Sequence, residues 1–265
     1  MGKLYSEIVN KYDKHQLLLA EKDIKEHLPE TDWLSKETLK SMLKKYKVVY
    51  VKPSRGTGGR GIIKLEKKRL NHKWTYIFHY RKKKKHYTKF LEMYKHLKKK
   101  INKIIRKSKK DRGKYLVQQG IELLKYENSL FDVRSFVQFN PDTFKFECNG
   151  VLVRVGHPNK IVTNISNSGR AMDYHTVFQS TKKEVQLLKR PLEELSIKIA
   201  TAVRNQCEEI LEVGLDFGYD ENLKPWLIEV NLKPRYKGFK KIDKVVYNKI
   251  HNRSKELKQL KKKIA

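Results

Sequence analysis

Apolar and polar positions in this 265-residue chain repeat with two different periods, and the change of period marks out its elements. From Thr88 to Lys109, the residues Phe90, Met93, Tyr94, Leu97, Ile101, Ile104 and Ile105 recur at helical spacing, which predicts an amphipathic helix with one apolar seam. A second, longer helix is predicted from about Lys182 to Leu211. Residues 1–47 read as two helical segments separated by Pro29-Glu-Thr31, with Ser35 and Thr38 able to cap the second. Short runs rich in β-branched and aromatic residues predict strands at Val48–Val51, Ile62–Leu65, Trp74–Tyr80, Tyr115–Gln119, Asp132–Phe139, Phe144–Val155 and Lys160–Asn164. No internal repeat is visible.

The last pair of strands carries candidate chemistry. Asp216 ends the apolar run Val213–Phe217, Asp220–Asn222 reads as a turn, and Trp226–Val230 reads as the returning strand. The strand period of two puts Glu229 and Asn231 on one side, with Asp216 able to face them across the hairpin. Two carboxylates and an amide oxygen are hard ligands suited to Mg²⁺, which often shares its shell with substrate phosphates. The same alternation also describes an ordinary solvated hairpin face.

A second segment has the layout strand, glycine-rich loop, strand. The run Val48–Val51 leads into Lys52-Pro-Ser-Arg-Gly-Thr-Gly-Gly-Arg-Gly61, and Ile62–Leu65 resumes the strand pattern. Gly56, Gly58, Gly59 and Gly61 let a backbone approach an anion closely, with Ser54 inside the loop and Lys52 as a cation at its base. The segment lacks Gly-Lys-Ser/Thr and does not open a helix, so it is neither a Walker loop nor a dinucleotide fingerprint. A plain surface turn is the alternative.

Arg134 and Arg154 interrupt apolar runs, Asp132-Val-Arg-Ser-Phe-Val-Gln138 and Val151-Leu-Val-Arg-Val155. An arginine at an inward strand position needs an anionic partner, either a ligand or a neighbour such as Asp132 for Arg134. His157 and His175 stand alone, and no Ser-His-Asp or Cys-His arrangement emerges. Cys148 and Cys207 lie far apart without a Cys-x-x-Cys pair, which points away from disulfides and zinc.

Composition changes the picture in one respect. With 38% hydrophobic residues the chain can bury a substantial core, and it holds neither a membrane-length apolar stretch nor an N-terminal signal peptide, so a cytoplasmic protein is expected. However, 61 Lys and Arg against 29 Asp and Glu leave a formal charge of +32. The excess gathers in Lys82-Lys-Lys-Lys85, Lys98-Lys-Lys100, Ile104-Ile-Arg-Lys-Ser-Lys-Lys110 and Lys261-Lys-Lys263. Three readings stay open: a solvated lysine-rich face, attraction of a polyanionic substrate such as an acidic peptide or polymer, and non-specific nucleic-acid binding.

Taken together, the glycine loop and the acidic hairpin resemble the ATP-grasp superfamily. The chain is similar in particular to the YheC/YheD family of endospore coat-associated ATP-grasp proteins. That likeness runs through His27-Leu-Pro-Glu-Thr31, Val51-Lys-Pro53 with its loop, Val117-Gln-Gln-Gly-Ile121, Phe131-Asp-Val-Arg134 with Val137-Gln138, Val153-Arg-Val-Gly156 and Val162-Thr-Asn164, from about Asn10 to Pro234.

The resemblance implies an α+β ATP-grasp fold, two α+β subdomains clamping ATP, without the N-terminal α/β domain that relatives often carry. On that basis residues 1–47 form an N-terminal helical segment, 48–120 a small lid subdomain with the loop and basic helix, 121–239 a large subdomain with the metal hairpin, and 240–265 a basic helical tail. It implies ATP with Mg²⁺ or Mn²⁺ as cofactors and Asp216, Glu229 and Asn231 as metal ligands. Nucleotide contacts would come from Lys11 (with Lys14 a near competitor), Lys52, Ser54, the four loop glycines, and Gln118, Gln119, Gly120 and Ile121. Backbone groups of Gln119 and Ile121 would read the adenine edge. Arg134, Arg154 and Asn164 would act at the reaction centre.

The implied activity is carboxylate–amine ligation through an acyl phosphate, on a small-molecule or peptide carboxylate and an amine acceptor, in a cytoplasmic or spore-associated setting. The alternative is a non-catalytic ATP-grasp-like coat or scaffold protein that binds a polyanion or nucleic acid. One departure stands out. Relatives commonly follow Glu-x-Asn with a Pro-Gly turn, whereas here the chain reads Asn231-Leu-Lys-Pro-Arg-Tyr-Lys-Gly238, which puts the acceptor-side loop in question.

Overall fold

The computed structural model describes residues 10–56, 58–108, 113–157, 170–178 and 182–264. They form two compact units, one from residues 29–122 and one from residues 10–28 and the described residues beyond 122. The chain opens in the latter with α1 (Lys11–Leu19) and the single turn α2 (Lys22–Lys25). Asn10 caps α1, its side-chain oxygen accepting from the amides of Tyr12 and Asp13.

The unit of residues 29–122 is one six-stranded antiparallel sheet with two helices on one face. Its elements are β1 (Thr31–Trp33), α3 (Lys36–Tyr46), β2 (Val48–Pro53), β3 (Ile63–Leu70), β4 (Lys73–Tyr80), β5 (Lys83–Tyr87), α4 (Phe90–Arg106) and β6 (Tyr115–Gln119), in sheet order β1-β6-β2-β3-β4-β5. The expected helical spacing of the basic segment is borne out: Met93, Leu97 and Ile101 of α4 pack with Leu39, Met42 and Leu43 of α3 against Val49, Val51, Ile63, Leu65 and Phe78. Ser35 caps α3 by accepting from the Thr38 amide.

Two local readings are corrected. The stretch after Pro29 is not merely a break between helices, because Thr31–Trp33 pairs with Gln118–Leu116 and adds an edge strand. Three residues are too few to show a period; the tertiary partner makes the strand. The lysine-rich run Lys83–Tyr87, not anticipated as a strand, likewise pairs with β4.

The other unit continues with β7 (Lys125–Tyr126), β8 (Ser129–Asn140), β9 (Lys145–Val155), β10 (Arg170–Met172), α5 (Tyr174–Phe178), α6 (Lys182–Gln206), β11 (Glu212–Tyr219), β12 (Pro225–Asn231), a 3-10 turn at Phe239–Lys241 and α7 (Lys244–Ile264). Its main sheet runs β10-β9-β8-β11-β12, all antiparallel, with β7 paired to β8. The strand predicted at Lys160–Asn164 lies outside the described residues. The helix expected to reach Leu211 ends at Gln206, and Ile210 and Leu211 instead join the core at the entry to β11.

Alternation decides what each face of this sheet does. Val133, Val137 and Phe139 of β8, Val153 and Val155 of β9, and Val213, Leu215 and Phe217 of β11 bury against Leu192, Ile199 and Val203 of α6. On the opposite face, Phe136 and Leu152 pack under Phe239 and Ile250 of the C-terminal segment. A polar seam fastens α7 beside them: Gln138 donates to Glu212, to the Ile250 carbonyl and to Ser254. Asp132, Arg134, Arg154 and Asp216 lie on that same face.

Gly120 shows how tightly the smaller sheet is closed. A Cβ there would lie 2.6 Å from Val48 Cγ1 and 2.9 Å from the Val48 carbonyl oxygen, to which the Gly120 amide is hydrogen-bonded. Backbone cannot yield as a side chain does. Gly120→Ala is therefore expected to destabilise this unit by about 1–3 kcal/mol, read as a lower urea midpoint at unchanged m; an unshifted midpoint would refute the close packing.

Candidate active site

The charged end of the larger sheet is assembled by register. Asp216 of β11 lies opposite Glu229 of β12, Gly214 opposite Asn231, and Arg134 of β8 opposite Asp216. Arg154 of β9 lies opposite Asp132, two residues from Arg134. Asp132, Arg134, Arg154, Asp216, Glu229 and Asn231 therefore share one face. The β11–β12 turn is secured separately, since Asp220 accepts from the amides of Asn222 and Lys224 and from the Trp226 indole.

Within this face the charges are paired. Arg134 grips Asp216 in two-pronged fashion, Nε to Oδ1 and Nη2 to Oδ2, the latter at 2.9 Å. Arg154 bridges two acids: its Nε donates to Asp132 and its Nη2 lies 2.8 Å from Asp216 Oδ2. Asn231 Nδ2 donates to the same Oδ2 at 3.2 Å. Burial alone would raise the Asp216 carboxyl, but Arg134 and Arg154 outweigh it and hold it below the ordinary carboxylate range. Burial likewise works against the Arg154 cation, while Asp132 and Asp216 overcome it.

Two expectations change here. Arg134 takes Asp216 as its partner, and Asp132 goes to Arg154 instead. Asp216 is also engaged, its carboxylate facing three nitrogen groups of Arg134 and Arg154 and the Asn231 amide.

Glu229 is more accessible, its side chain 24% exposed and one oxygen 3.4 Å from Lys11 Nζ. Among the described residues no group of three His, Cys, Asp or Glu could hold a metal. The candidate donors Asp216, Glu229 and Asn231 are two carboxylates and one amide. That set fits a hard divalent cation whose remaining positions go to water and phosphate oxygens.

Helix α1 presents both candidate lysines to β12, one turn apart. Lys14 Nζ donates to the Val230 carbonyl at 2.7 Å, between Glu229 and Asn231. Its burial pushes the ammonium down to about 8, partly offset by Glu229. Lys14 is thus committed to the strand, whereas Lys11 stands beside the accessible carboxylate. Gly214 completes the face: a Cβ there would lie 3.2 Å from Arg134 Nη1 and 2.6 Å from Pro234 Cβ. The divergent segment after Asn231 therefore packs against the strand that bears Asp216.

The unit of residues 29–122 carries the loop. Gly56, Gly58, Gly59 and Gly61 all have positive φ, from +67° to +100°, a conformation other residues rarely adopt. Ser54 at the loop's start is buried, its amide bonded to the Lys114 carbonyl. Lys52 is buried too, and its ammonium donates to Gln118 Oε1 at 2.6 Å, while Gln118 Nε2 donates to Thr31. Thr31 was not foreseen as part of this relay because its strand was not. The Gln119 amide donates to the Glu30 carbonyl, so it is already engaged and not open to read a base edge. Ile121 is half-buried, Asn164 lies outside the described residues, and His157 is exposed.

The fold is that of an ATP-grasp protein. A family model described as YheC/D like ATP-grasp matches residues 4–257, and the chain belongs to that family. It is 27% identical over 236 residues to the endospore coat-associated protein YheD of Bacillus subtilis (strain 168), covering 85% of this chain and 48% of YheD. It is 27% identical over 226 residues to YheC of the same strain, covering 83% and 58%. The chain thus spans about half the length of these curated relatives. Among solved structures, the C-terminal domain of Pby1 from K. lactis, an ATP-grasp enzyme, shares the fold at a TM-score of 0.53 and 14% identity, over 94% of this chain and 72% of that one.

The pairing predicts unequal mutational costs. Asp216→Asn leaves two buried guanidinium groups under-compensated and should cost about 3–5 kcal/mol of stability, whereas Glu229→Gln, partly exposed, should cost under about 1 kcal/mol; equal losses in urea melts would contradict the arrangement. The Asp216 contribution is fully present above the unfolded carboxylate pKa and is lost as pH falls through the lower folded value. Lys14 has the opposite signature. Its folded pKa of about 8 lies below the ordinary 10.5, so stability should rise between those pH values, by about 3 kcal/mol. Lys14→Met should abolish that rise.

Proposed function

We propose that this protein is an ATP- and Mg²⁺-dependent carboxylate–amine ligase, joining an acid to an amine as an amide through an acyl phosphate with release of ADP and phosphate. One observation carries the reading: a hard-cation donor set, Asp216, Glu229 and Asn231, shares a sheet face with two buried guanidinium groups. Bound ATP would supply the phosphoryl group that activates the acid, with Mg²⁺ or Mn²⁺ screening its charge.

Glu229 and Asn231 would hold the ion, with Asp216 joining them as Arg134 or Arg154 turns to an anion. The planar guanidinium suits a carboxylate or a phosphoryl group, so these two arginines would bind and orient the acid. Lys11 would neutralise charge beside Glu229. Lys52, Ser54 and the loop glycines would line the phosphates, and Gln118 to Ile121 the base. Asn164 keeps a role at the reaction centre through the family resemblance. No protein nucleophile is required, and burial pushes the Cys148 thiol up to about 11, keeping it protonated at neutral pH.

Among the described residues no helix is long and apolar enough to cross a membrane. Its setting would be the cytoplasm or the spore and its substrate an acidic peptide or polymer; the +32 charge supports the acidic substrate, and the likeness to the endospore coat-associated YheD and YheC supports the spore setting. The Lys-Pro-Arg-Tyr segment against Gly214 is the place where acceptor preference would differ from relatives with a Pro-Gly turn.

Thermal shift is the first test. Millimolar ATP with Mg²⁺ should raise the Tm by several degrees, and Glu229→Ala with Asn231→Ala should remove the part that depends on metal. No shift with nucleotide and metal would sink the reading. Metal-dependent stabilisation that survives the double substitution would move the ion elsewhere. An ADP-release screen across amino acids, short peptides and acidic polymers would then identify the acid and the amine.

A further inference from the structure

The unit of residues 29–122 carries a second feature, independent of the ligase reading. In α4, Lys99 and Lys100 lie three and four residues after His96, Lys103 lies three after Lys100, and Lys107 at the C-cap four after Lys103, so that they form one stripe. Register puts Lys83 opposite Tyr80 and Lys85 opposite Phe78, the strand face on which Phe78 packs beneath the helix. The stripe and the edge strand β5 therefore meet. Lys103, Arg81, Lys83 and Lys107 act on Lys100, and Lys85, Lys100 and Lys99 on His96, while one carboxylate, Glu92, lies a turn before His96 and acts on Tyr87.

Aromatic rings are interleaved with these cations. Lys100 Nζ sits 4.1 Å from the centroid of the Tyr80 ring, and the Arg81 guanidinium 5.4 Å. His96 packs edge-on against Phe78 and beside Tyr87. On the same face of β4, Trp74 is 46% exposed, with Lys67 4.7 Å and Arg69 5.5 Å from its ring. Lys83, Lys85, Lys99, Lys103 and Lys107 are themselves exposed.

Like charges at helical neighbour spacing are mutually destabilising, so a solvated surface would be expected to intersperse acids. A linear row of ammonium groups matches a chain of singly charged anions. Lysine meets phosphate and carboxylate alike as a point charge, so the choice between them falls to the aromatic groups. The exposed indole flanked by cations adds what an acidic peptide does not need and a base does: a flat stacking surface beside phosphate contacts.

We propose that α4, β5 and the exposed end of β4 form a binding surface for single-stranded nucleic acid, with Lys83, Lys85, Lys100 and Lys103 contacting phosphates and Trp74 stacking a base. Recognition is independent of sequence, because every contact is to backbone charge or a base face.

Fluorescence anisotropy with fluorescein-labelled dT20 and rU20, titrated with the full chain at several salt concentrations, tests this. The variant Lys83→Ala, Lys85→Ala, Lys100→Ala, Lys103→Ala should bind at least tenfold more weakly near physiological salt and flatten the log K against log salt slope by about 3. Trp74→Ala should weaken binding about tenfold with the slope unchanged. A control removing four lysines of α7 (Lys255, Lys258, Lys261 and Lys262, each to Ala) should have a much smaller effect. The proposal is overturned if the α7 control loses as much as the α4–β5 variant, since net charge alone would then explain binding. It is also overturned if Trp74→Ala changes nothing, or if poly-L-glutamate displaces the oligonucleotide at equal charge concentration, which would indicate an acidic polymer instead.

Discussion

The polar face of the larger unit's sheet depends on buried charge pairing among four residues. Asp132, Arg154, Asp216 and Arg134 form a continuous, formally neutral chain across three strands. Neutrality allows four ionised groups to occupy a nearly water-free sheet face, where an unpaired one would cost several kcal/mol. In the proposed reading, a divalent cation at Asp216 would leave the arginines in excess and call for an anion beside them, which a phosphate or a carboxylate would supply.

Elements that look unrelated serve this arrangement. Helix α1 reaches β12 through Lys14, which holds the Val230 carbonyl between Glu229 and Asn231. The Lys14 ammonium is held there although burial opposes its charge. Gly214 leaves room for Arg134 and for Pro234. In the other unit, Lys52 is held through Gln118 to Thr31, so the cation at the base of the glycine loop is positioned by two neighbouring strands. Both devices draw buried cations to oxygen atoms supplied by strands far away in sequence.

Much of the fold could be read directly from the chain. The seam of α4, the strands β2, β6, β8 and β9 and the acidic hairpin follow from local periodicity, which records which face of an element is buried. All four loop glycines occupy positive φ, a conformation open to glycine for want of a Cβ. Short edge elements were harder. Thr31–Trp33 and Lys83–Tyr87 lack an apolar alternation of their own, and they become strands because a partner satisfies their backbone.

The sequence by itself determined the family, the acidic hairpin, the glycine loop and the excess of lysine, because each is a matter of residue type at fixed spacing. Tertiary structure decided the pairing. Arg134 had Asp132 two residues away, yet register places it opposite Asp216 on the neighbouring strand. Asp132 meets Arg154, which lies opposite it on β9. Cross-strand neighbours are closer than same-strand residues two apart and cannot be counted along the chain. For the same reason the lysine runs became legible only in three dimensions, where α4 and β5 bring separate segments together around the rings of β4.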